Sequence, residues 1–339
     1  MIRGEASNNF VGKSVLVTGG TGLIGIPLVR KLSAKGARVK IVSLDSESPF
    51  DEKIEFIRGD LCNKDLCNEV VRDVQIVFHL AGIKGSIGVA QKKASTFLVK
   101  NILINTNIME SARKASAERF LYASSICVYP PAQVFEEKNA FTGLPHPSDR
   151  FGGMAKLIGE MQIEAYKLQY NIENFLTVRP ANTYGPYDNF NPVSALIIPA
   201  LIYRVFEGEN PLEVWGDGTA VRDFVYADDV ADFMILMVEK NETTPLNVGS
   251  GEPITIKSVA ETVVKHAETI LDKKINIEWD STKPTGEDYR VTSIEKAKSI
   301  LGWSPSVSFD TGVEKTVKWY NSNKSKLIKR YNIMTEDET

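Results

Sequence analysis

The chain has little of three things. It carries three cysteines, Cys62, Cys67 and Cys127, too few and odd in number for a disulfide framework. Cys62 and Cys67 are spaced C-x4-C with no histidine beside them, so they fall short of a zinc ligand set and no metal is expected. It has no excess of basic charge: 40 Lys and Arg against 43 Asp and Glu leave a net charge of -3, which argues against a nucleic-acid partner. It has no apolar run near the roughly 20 residues that span a bilayer, and its first residues, MIRGEASNNFVGKSV, hold no apolar signal segment. A reduced, cytoplasmic protein with no membrane partner is expected.

What is present is a long chain, 339 residues with 43% apolar, enough for a large core and about two domains. Short β-rich runs alternate with helical spacing. Strands are predicted at Ser14–Thr18, Arg38–Val42, Ile54–Ile57, Ile76–Leu80, Phe120–Ala123 and Asn174–Val178. Helices are predicted at Gly22–Lys35, Ile102–Ala115 and Lys156–Tyr170. That alternation predicts an α/β fold, a Rossmann-type doubly wound parallel sheet. After Pro180 the texture changes. Ala181–Asn191 (ANTYGPYDNFN) is predicted as loop, followed by helices at Ile197–Phe206, Asp228–Glu239, Ile254–Leu271, Ile294–Leu301 and Thr311–Ser322, with a strand at Leu212–Trp215. The expected division is a dinucleotide-binding domain over 1–180, with 224–250 returning to it. A smaller mixed α/β substrate domain covers 181–223 and 251–330, and a frayed tail covers 331–339.

The most specific pattern is TGGTGLIG at 18–25, where Gly19, Gly22 and Gly25 lie between a predicted strand and a predicted helix. Glycines belong there because the turn is tight, the backbone must approach a pyrophosphate, and the helix must pack on the strand. The helix N-terminus then offers amides and a positive dipole end to the phosphates. At the end of the second strand, Ser43 holds the position of the usual ribose-binding acid and Asp45 follows two residues later. Asp45 and Glu47 would repel a 2′-phosphate, so NAD is expected, with NADP as the alternative. Asp60, after the third strand, is placed either to reach the adenine or to cap a helix.

These motifs occur in order with GDL at 59–61, FHLAG at 78–82, SSICVY at 124–129, RPANTYGP at 179–186, WGDGT at 215–219, RDF at 222–224 and NVGSG at 247–251. Over about Lys13 to Tyr320 the chain resembles the extended short-chain dehydrogenase/reductases, the nucleotide-sugar epimerases, dehydratases and reductases. Within them YGPYDNFNP at 184–192, IIPAL at 197–201 and KPTG at 283–286 are most similar to the GDP-L-fucose synthases. The stretch YASSICVYP at 122–130 is similar to those and to the GDP-mannose 3,5-epimerases. The resemblance implies a cofactor site at Gly19, Gly22, Leu23, Ile24, Gly25, Asp45, Asp60, Leu61, Leu80, Ala81, Gly82 and Lys156. It implies a GDP-linked or other nucleotide-linked sugar as substrate, gripped by Asn182, Arg222, Lys283 and Arg290.

Members of the family use a Ser or Thr, a Tyr and a Lys four residues after the Tyr. Ser125 and Lys156 match the first and last; the Tyr position is Gly152, which has no proton to give. Two readings stay open for it, a natural chain that works without the phenol and a substituted one. Dehydratases place an Asp–Glu pair where this chain has Ile126 and Cys127, which argues against dehydration. Cys127 matches the acid/base of the epimerising relatives, a thiol that removes a proton next to a keto group. Its usual partners are missing: Leu196 stands at the fucose synthases' His, and Asn191 roughly at the mannose epimerase's Lys. The expected function is therefore an NAD(P)-dependent nucleotide-sugar epimerase or oxidoreductase; the alternative is a catalytically impaired protein that binds cofactor and sugar. Asn101 is read as packing or water-holding, Trp215 as core or nucleotide-facing, and His79 and His266 as packed rather than catalytic. If the chain is natural, the missing proton passes through water, Ser125 or a residue from elsewhere such as His146. Helices near Phe97–Lys114 and Ala155–Leu168 match the family's dimer helices, so a homodimer is expected.

Overall fold

The computed structural model describes residues 10–85, 87–283 and 286–327, with the side chains at 87 and 91 left aside. Seven strands form one sheet, numbered here in chain order: β1 Ser14–Thr18, β2 Arg38–Ser43, β3 Glu55–Arg58, β4 Ile76–His79, β5 Arg119–Ala123, β6 Phe175–Pro180 and β7 Leu246–Val248. Every pairing is parallel and the order is β3-β2-β1-β4-β5-β6-β7. Runs such as SVLVT and IVFH read as strands because they are buried on both faces, which rewards an unbroken apolar run.

Among the described residues ten α-helices follow in order: α1 Gly25–Ala34, α2 Lys64–Val70, α3 Ile87–Lys92, α4 Ala94–Lys114, α5 Arg150–Tyr170, α6 Ile197–Phe206, α7 Ala227–Lys240, α8 Ile256–Leu271, α9 Glu295–Leu301 and α10 Phe309–Asn323. One sheet face buries Leu28 and Leu32 of α1 with Val230 and Met234 of α7. The other buries Cys67 of α2, Ile108 of α4 and Tyr166 of α5. The expected doubly wound Rossmann-type sheet is present. A separate core joins α6, α8 and α10 through Leu201, Val263 and Val317. Beside it is a mixed four-stranded sheet in the order Ile254–Thr255, Val221–Arg222, Tyr289–Thr292, Val134–Phe135.

Three local expectations are corrected. Asn182–Tyr184, expected inside a loop, is a strand parallel to Phe224–Tyr226. Its pairing partner lies far along the chain, so a three-residue run carries no local signal. The helix expected from Ile254 begins at Ile256, because Thr255 caps it by accepting from Ser258 N. The helix expected from Lys156 begins at Arg150. Gly152 and Gly153 lower helix propensity in that first turn, and tertiary contact overrides it: a Cβ on Gly153 would stand 2.2 Å from Cys127 O. Gly159, two turns on, would place its Cβ 2.6 Å from Tyr122 Oη, so α5 lies directly against the end of β5.

Candidate functional site

Strand order reverses between β1 and β4, and a ligand crevice forms outside the carboxyl ends of strands at such a point. A cavity of about 1310 Å³ occupies it. Its wall takes residues from the end of each of six strands: Gly19 after β1, Ser43 and Asp45 at β2, Asp60 and Leu61 after β3, Leu80 to Gly82 after β4, Ser125 after β5 and Asn182 after β6. Among the described residues no helix is long and apolar enough to cross a membrane.

The end of the cavity at β1 is built of backbone. Gly19 has φ of +68°, a left-handed conformation that favours glycine. A Cβ on Gly25 would stand 2.3 Å from Gly19 O, and one on Gly22 would stand 3.2 Å from the same atom. Leu23 and Ile24 complete the turn and also line the cavity. No side chain caps α1 and its first turn holds no acid; Ile26 N donates to Gly22 O at 3.0 Å and Pro27 carries no N–H, so the turn offers a ligand the positive dipole end and the amides before Ile26. A side-chain-free cradle at an uncapped helix N-terminus fits the diphosphate of a nicotinamide dinucleotide. Asp45 is buried at the same end, and its Oδ2 accepts from Thr21 Oγ1 at 2.6 Å. Asp60 is exposed and its Oδ1 accepts from Cys62 N at 2.8 Å; Asn63, not Asp60, caps α2.

A buried polar chain ties this end to the strands below. Thr18 Oγ1 accepts from the amides of Leu80 and Ala81, both at 3.1 Å, and so donates to His79 Nδ1 at 2.7 Å. The ring proton is then on Nε2, which donates to Asn105 Oδ1 at 3.0 Å, and Asn105 Nδ2 donates to Tyr122 Oη at 3.0 Å. Burial pushes His79 down to about 3, with the Lys156 charge acting the same way, so the ring is neutral. Asn101 braces the segment after β4: Oδ1 accepts from Ile83 N at 2.7 Å and Nδ2 donates to Phe97 O at 2.8 Å. His266 lies far from this chain, against Asp310 at 3.1 Å.

Ser125, Cys127, Gly152 and Lys156 meet in the middle of the cavity. Ser125 Oγ accepts from Cys127 N at 3.2 Å. Lys156 Nζ donates to Ala123 O at 2.6 Å; burial pulls it down to about 8, against the opposing pull of Cys127 and Glu160. Burial pushes the Cys127 thiol up, Asp149 adds to that, and Arg290 opposes it. The near-neutral thiol that base chemistry would favour is therefore not what this setting provides. A Cβ on Gly152 would meet only the Phe97 ring, at 3.8 Å. Beneath, Ser124 Oγ donates to Glu160, whose carboxylate forms a buried ion pair with Arg179 at 2.6 Å.

The far end is built of side chains. Arg222 and Arg290 sit in register on adjacent parallel strands and both line the cavity. Like charges so placed repel, and acids offset them. Arg290 Nη1 donates to Asp149 Oδ2 at 2.8 Å and its Nε lies 3.2 Å from Glu287. His146 Nε2 lies 3.3 Å from Glu287 on the other side, and its Nδ1 accepts from Ser148 N. Burial pulls the Arg222 guanidinium down, with Arg290 adding to it. Asn182 Nδ2 donates to Asp223 O at 2.8 Å, which fixes it at the cavity wall. Two expected residues are elsewhere. Lys283 has a side chain 45% exposed, 3.9 Å from Asp280, outside the cavity wall, and Pro284 and Thr285 of its motif lie outside the described residues. Trp215 is 54% exposed, so it is neither core nor cavity wall. Sequence reasoning missed Thr18, Thr21, Asp149 and Glu287. The last two had a faint signal: Asp149 lies three residues before Gly152, and Glu287 directly follows KPTG at 283–286.

Residues 15–249 match the NAD dependent epimerase/dehydratase family. The chain is 30% identical over 319 residues to a GDP-L-fucose synthase of Sinorhizobium fredii, covering 92% of this chain and 96% of that one. It is 28% identical to a GDP-L-fucose synthase of Escherichia coli, covering 92% and 98%. Among solved structures, the UDP-glucose 4-epimerase of Thermotoga maritima with UDP-glucose superposes with a TM-score of 0.79 at 26% identity, covering 92% of this chain and 99% of that one. With its side-chain-free cradle, its strand order and this match over most of its length, the chain belongs to the NAD-dependent epimerase/dehydratase family, whose cofactor is a nicotinamide dinucleotide.

Proposed function

We propose that the protein is an NAD(P)-dependent nucleotide-sugar epimerase/reductase, with a GDP-sugar as the favoured substrate class. The observation that carries this is one cavity with a glycine cradle at one end, Ser125, Cys127 and Lys156 in the middle, and Arg222 and Arg290 at the other. A bound nicotinamide would exchange a hydride with a sugar carbon. The chain's own residues do the rest. The turn at Gly19, Gly22 and Gly25 seats the cofactor diphosphate. Asp45 takes the adenine ribose, which favours NAD, since its carboxylate would repel a 2′-phosphate. Asp60 and Leu61 flank the adenine, Leu80 to Gly82 pass beneath the cofactor, and Lys156 holds the ribose next to the nicotinamide. Arg222 and Arg290 take the substrate diphosphate in fork geometry and Asn182 adds a contact, while Asp149 and Glu287 hold the arginines ready. Ser125 orients the sugar oxygen. Cys127, held as the neutral thiol, is a proton donor next to a keto group and a base only in its minor thiolate form. Val99 and Leu103 on α4 and Met161 and Leu168 on α5 are exposed apolar side chains, and they support a homodimer through these helices.

The test is incubation with NAD or NADP, oxidised and reduced, and a panel of GDP-, UDP-, CDP- and dTDP-sugars. Nicotinamide absorbance and deuterium uptake next to the keto carbon are followed. Turnover with a GDP-sugar is expected, and deuterium uptake should be lost in Cys127→Ser. The glycine at 152 favours a second reading, a protein that binds cofactor and sugar without turnover. Tight binding with neither signal would establish it instead.

A further inference from the structure

Gly152 and Lys156 are four residues apart in α5, so they share one face of the helix, and both line the cavity. The two neighbouring glycines of the first turn differ. At Gly153 a Cβ would strike Cys127 O at 2.2 Å, whereas at Gly152 it would meet only Phe97 at 3.8 Å. The helix is pinned at 153 and open at 152. Lys156 Nζ lines the same cavity one turn on: it is tied to Ala123 O at 2.6 Å, lies 5.0 Å from the centre of the Tyr122 ring, and would be 3.7 Å from a Cβ on Gly82. The tie uses one of three ammonium protons and leaves two.

Resting on the function proposed above, we propose that Lys156 is itself the proton donor and acceptor for the sugar hydroxyl, acting through one water seated beside Gly152. Ser125, Lys156 and the sugar oxygen give that water the polar partners it requires. In the reducing direction a bound reduced nicotinamide would supply the hydride to the carbonyl carbon, leaving the C–O π pair on oxygen. The oxygen takes a proton from the water, and the water takes one from Lys156. The ammonium becomes an amine and recovers its proton from solvent. The oxidising direction runs in reverse.

The groups facing Lys156 leave it as the mobile proton. His79 from β4 is neutral, and burial pushes Tyr122 from β5 well above its usual value. Cys127, from the turn after β5, is raised by burial. Glu160 on α5 is bonded to Arg179 and Ser124. Lys156, lowered to about 8, has both forms present near neutral pH, which suits acid/base exchange.

The test compares wild type with Lys156→Arg, which keeps a cation that does not deprotonate, and with Gly152→Tyr, which supplies a phenol. GDP-mannose, GDP-fucose, UDP-glucose and UDP-N-acetylglucosamine are the probes, each with oxidised nicotinamide cofactor. Wild type is expected to turn over at least one, with oxidation rising through a midpoint near pH 8. Lys156→Arg is expected to lose roughly 100-fold or more in kcat. Adding Gly152→Tyr to Lys156→Arg should restore turnover. A further readout is the Cε carbon shift of Lys156 in ligand-free protein, expected to titrate near 8 rather than near 10.5. Full activity in Lys156→Arg or a Cε midpoint near the ordinary lysine value would each overturn the proposal and leave the enzyme class standing; activity only after Gly152→Tyr would overturn it and establish the reading of binding without turnover. Failure of wild type and Gly152→Tyr alike to turn over any probe would overturn both.

Discussion

The two ends of the cavity are made of different material. At the dinucleotide end the wall is backbone, a turn of Gly19, Gly22 and Gly25 at the mouth of α1, with side chains kept out by distances as short as 2.3 Å. At the end proposed for the sugar the wall is side chains, with Arg222, Arg290, Asp149, Glu287 and His146 converging from separate segments. A backbone cradle tolerates nothing added, whereas a charged cluster tolerates exchange but depends on each member's partner.

That contrast is sharpest under acid. His79 lies beneath the backbone end with its folded value lowered to about 3 from 6.5. Its contribution is therefore complete above pH 6.5 and is lost as pH falls from there toward 3, at about 1.4 kcal/mol per pH unit. Denaturant titrations from pH 7 to 4.5 should show His79→Gln with a shallower stability slope by that amount. An unchanged slope would mean His79 is not buried neutral. Next in size is Gly25→Ala. Its Cβ would force the turn open, and NAD affinity should fall about 100-fold by calorimetry, the upper worth of a hydrogen bond to a charged group, here from the turn's amides to the diphosphate. Retained affinity would break the idea of a backbone-built end. The smallest effect separates two cations at the other end. Arg222→Ala should weaken binding of a GDP-sugar by about 10- to 100-fold, the worth of one charge-assisted hydrogen bond, while Lys283→Ala should change it by less than about twofold. Equal losses would show that the Lys283 segment folds over the substrate.

Legibility in the sequence followed the same line. The glycine turn was readable because its whole requirement falls within eight residues: a strand, three glycines and a helix start. The parallel sheet was readable because strands buried on both faces leave unbroken apolar runs. The strand Asn182–Tyr184 was not, since its partner is Phe224–Tyr226 and a three-residue pairing has no period. The first turn of α5 was missed because Gly152 and Gly153 argue locally against helix, while the close approach of Cys127 O argues for it in space. Lys283 was carried over from a motif, and the fold leaves it beside Asp280.

By itself the sequence determined the doubly wound sheet, the glycine turn at the head of α1 and the missing phenol at Gly152, because each depends on neighbours in the chain or on a side chain that is absent. Only the tertiary structure decided which charges meet: that Arg290 is held by Asp149 and Glu287, that the Cys127 thiol is pushed up, and that Lys156 lines the cavity tied to Ala123 O. Electrostatics and desolvation act through distance in space, and strand crossovers set that distance without leaving a mark in local spacing.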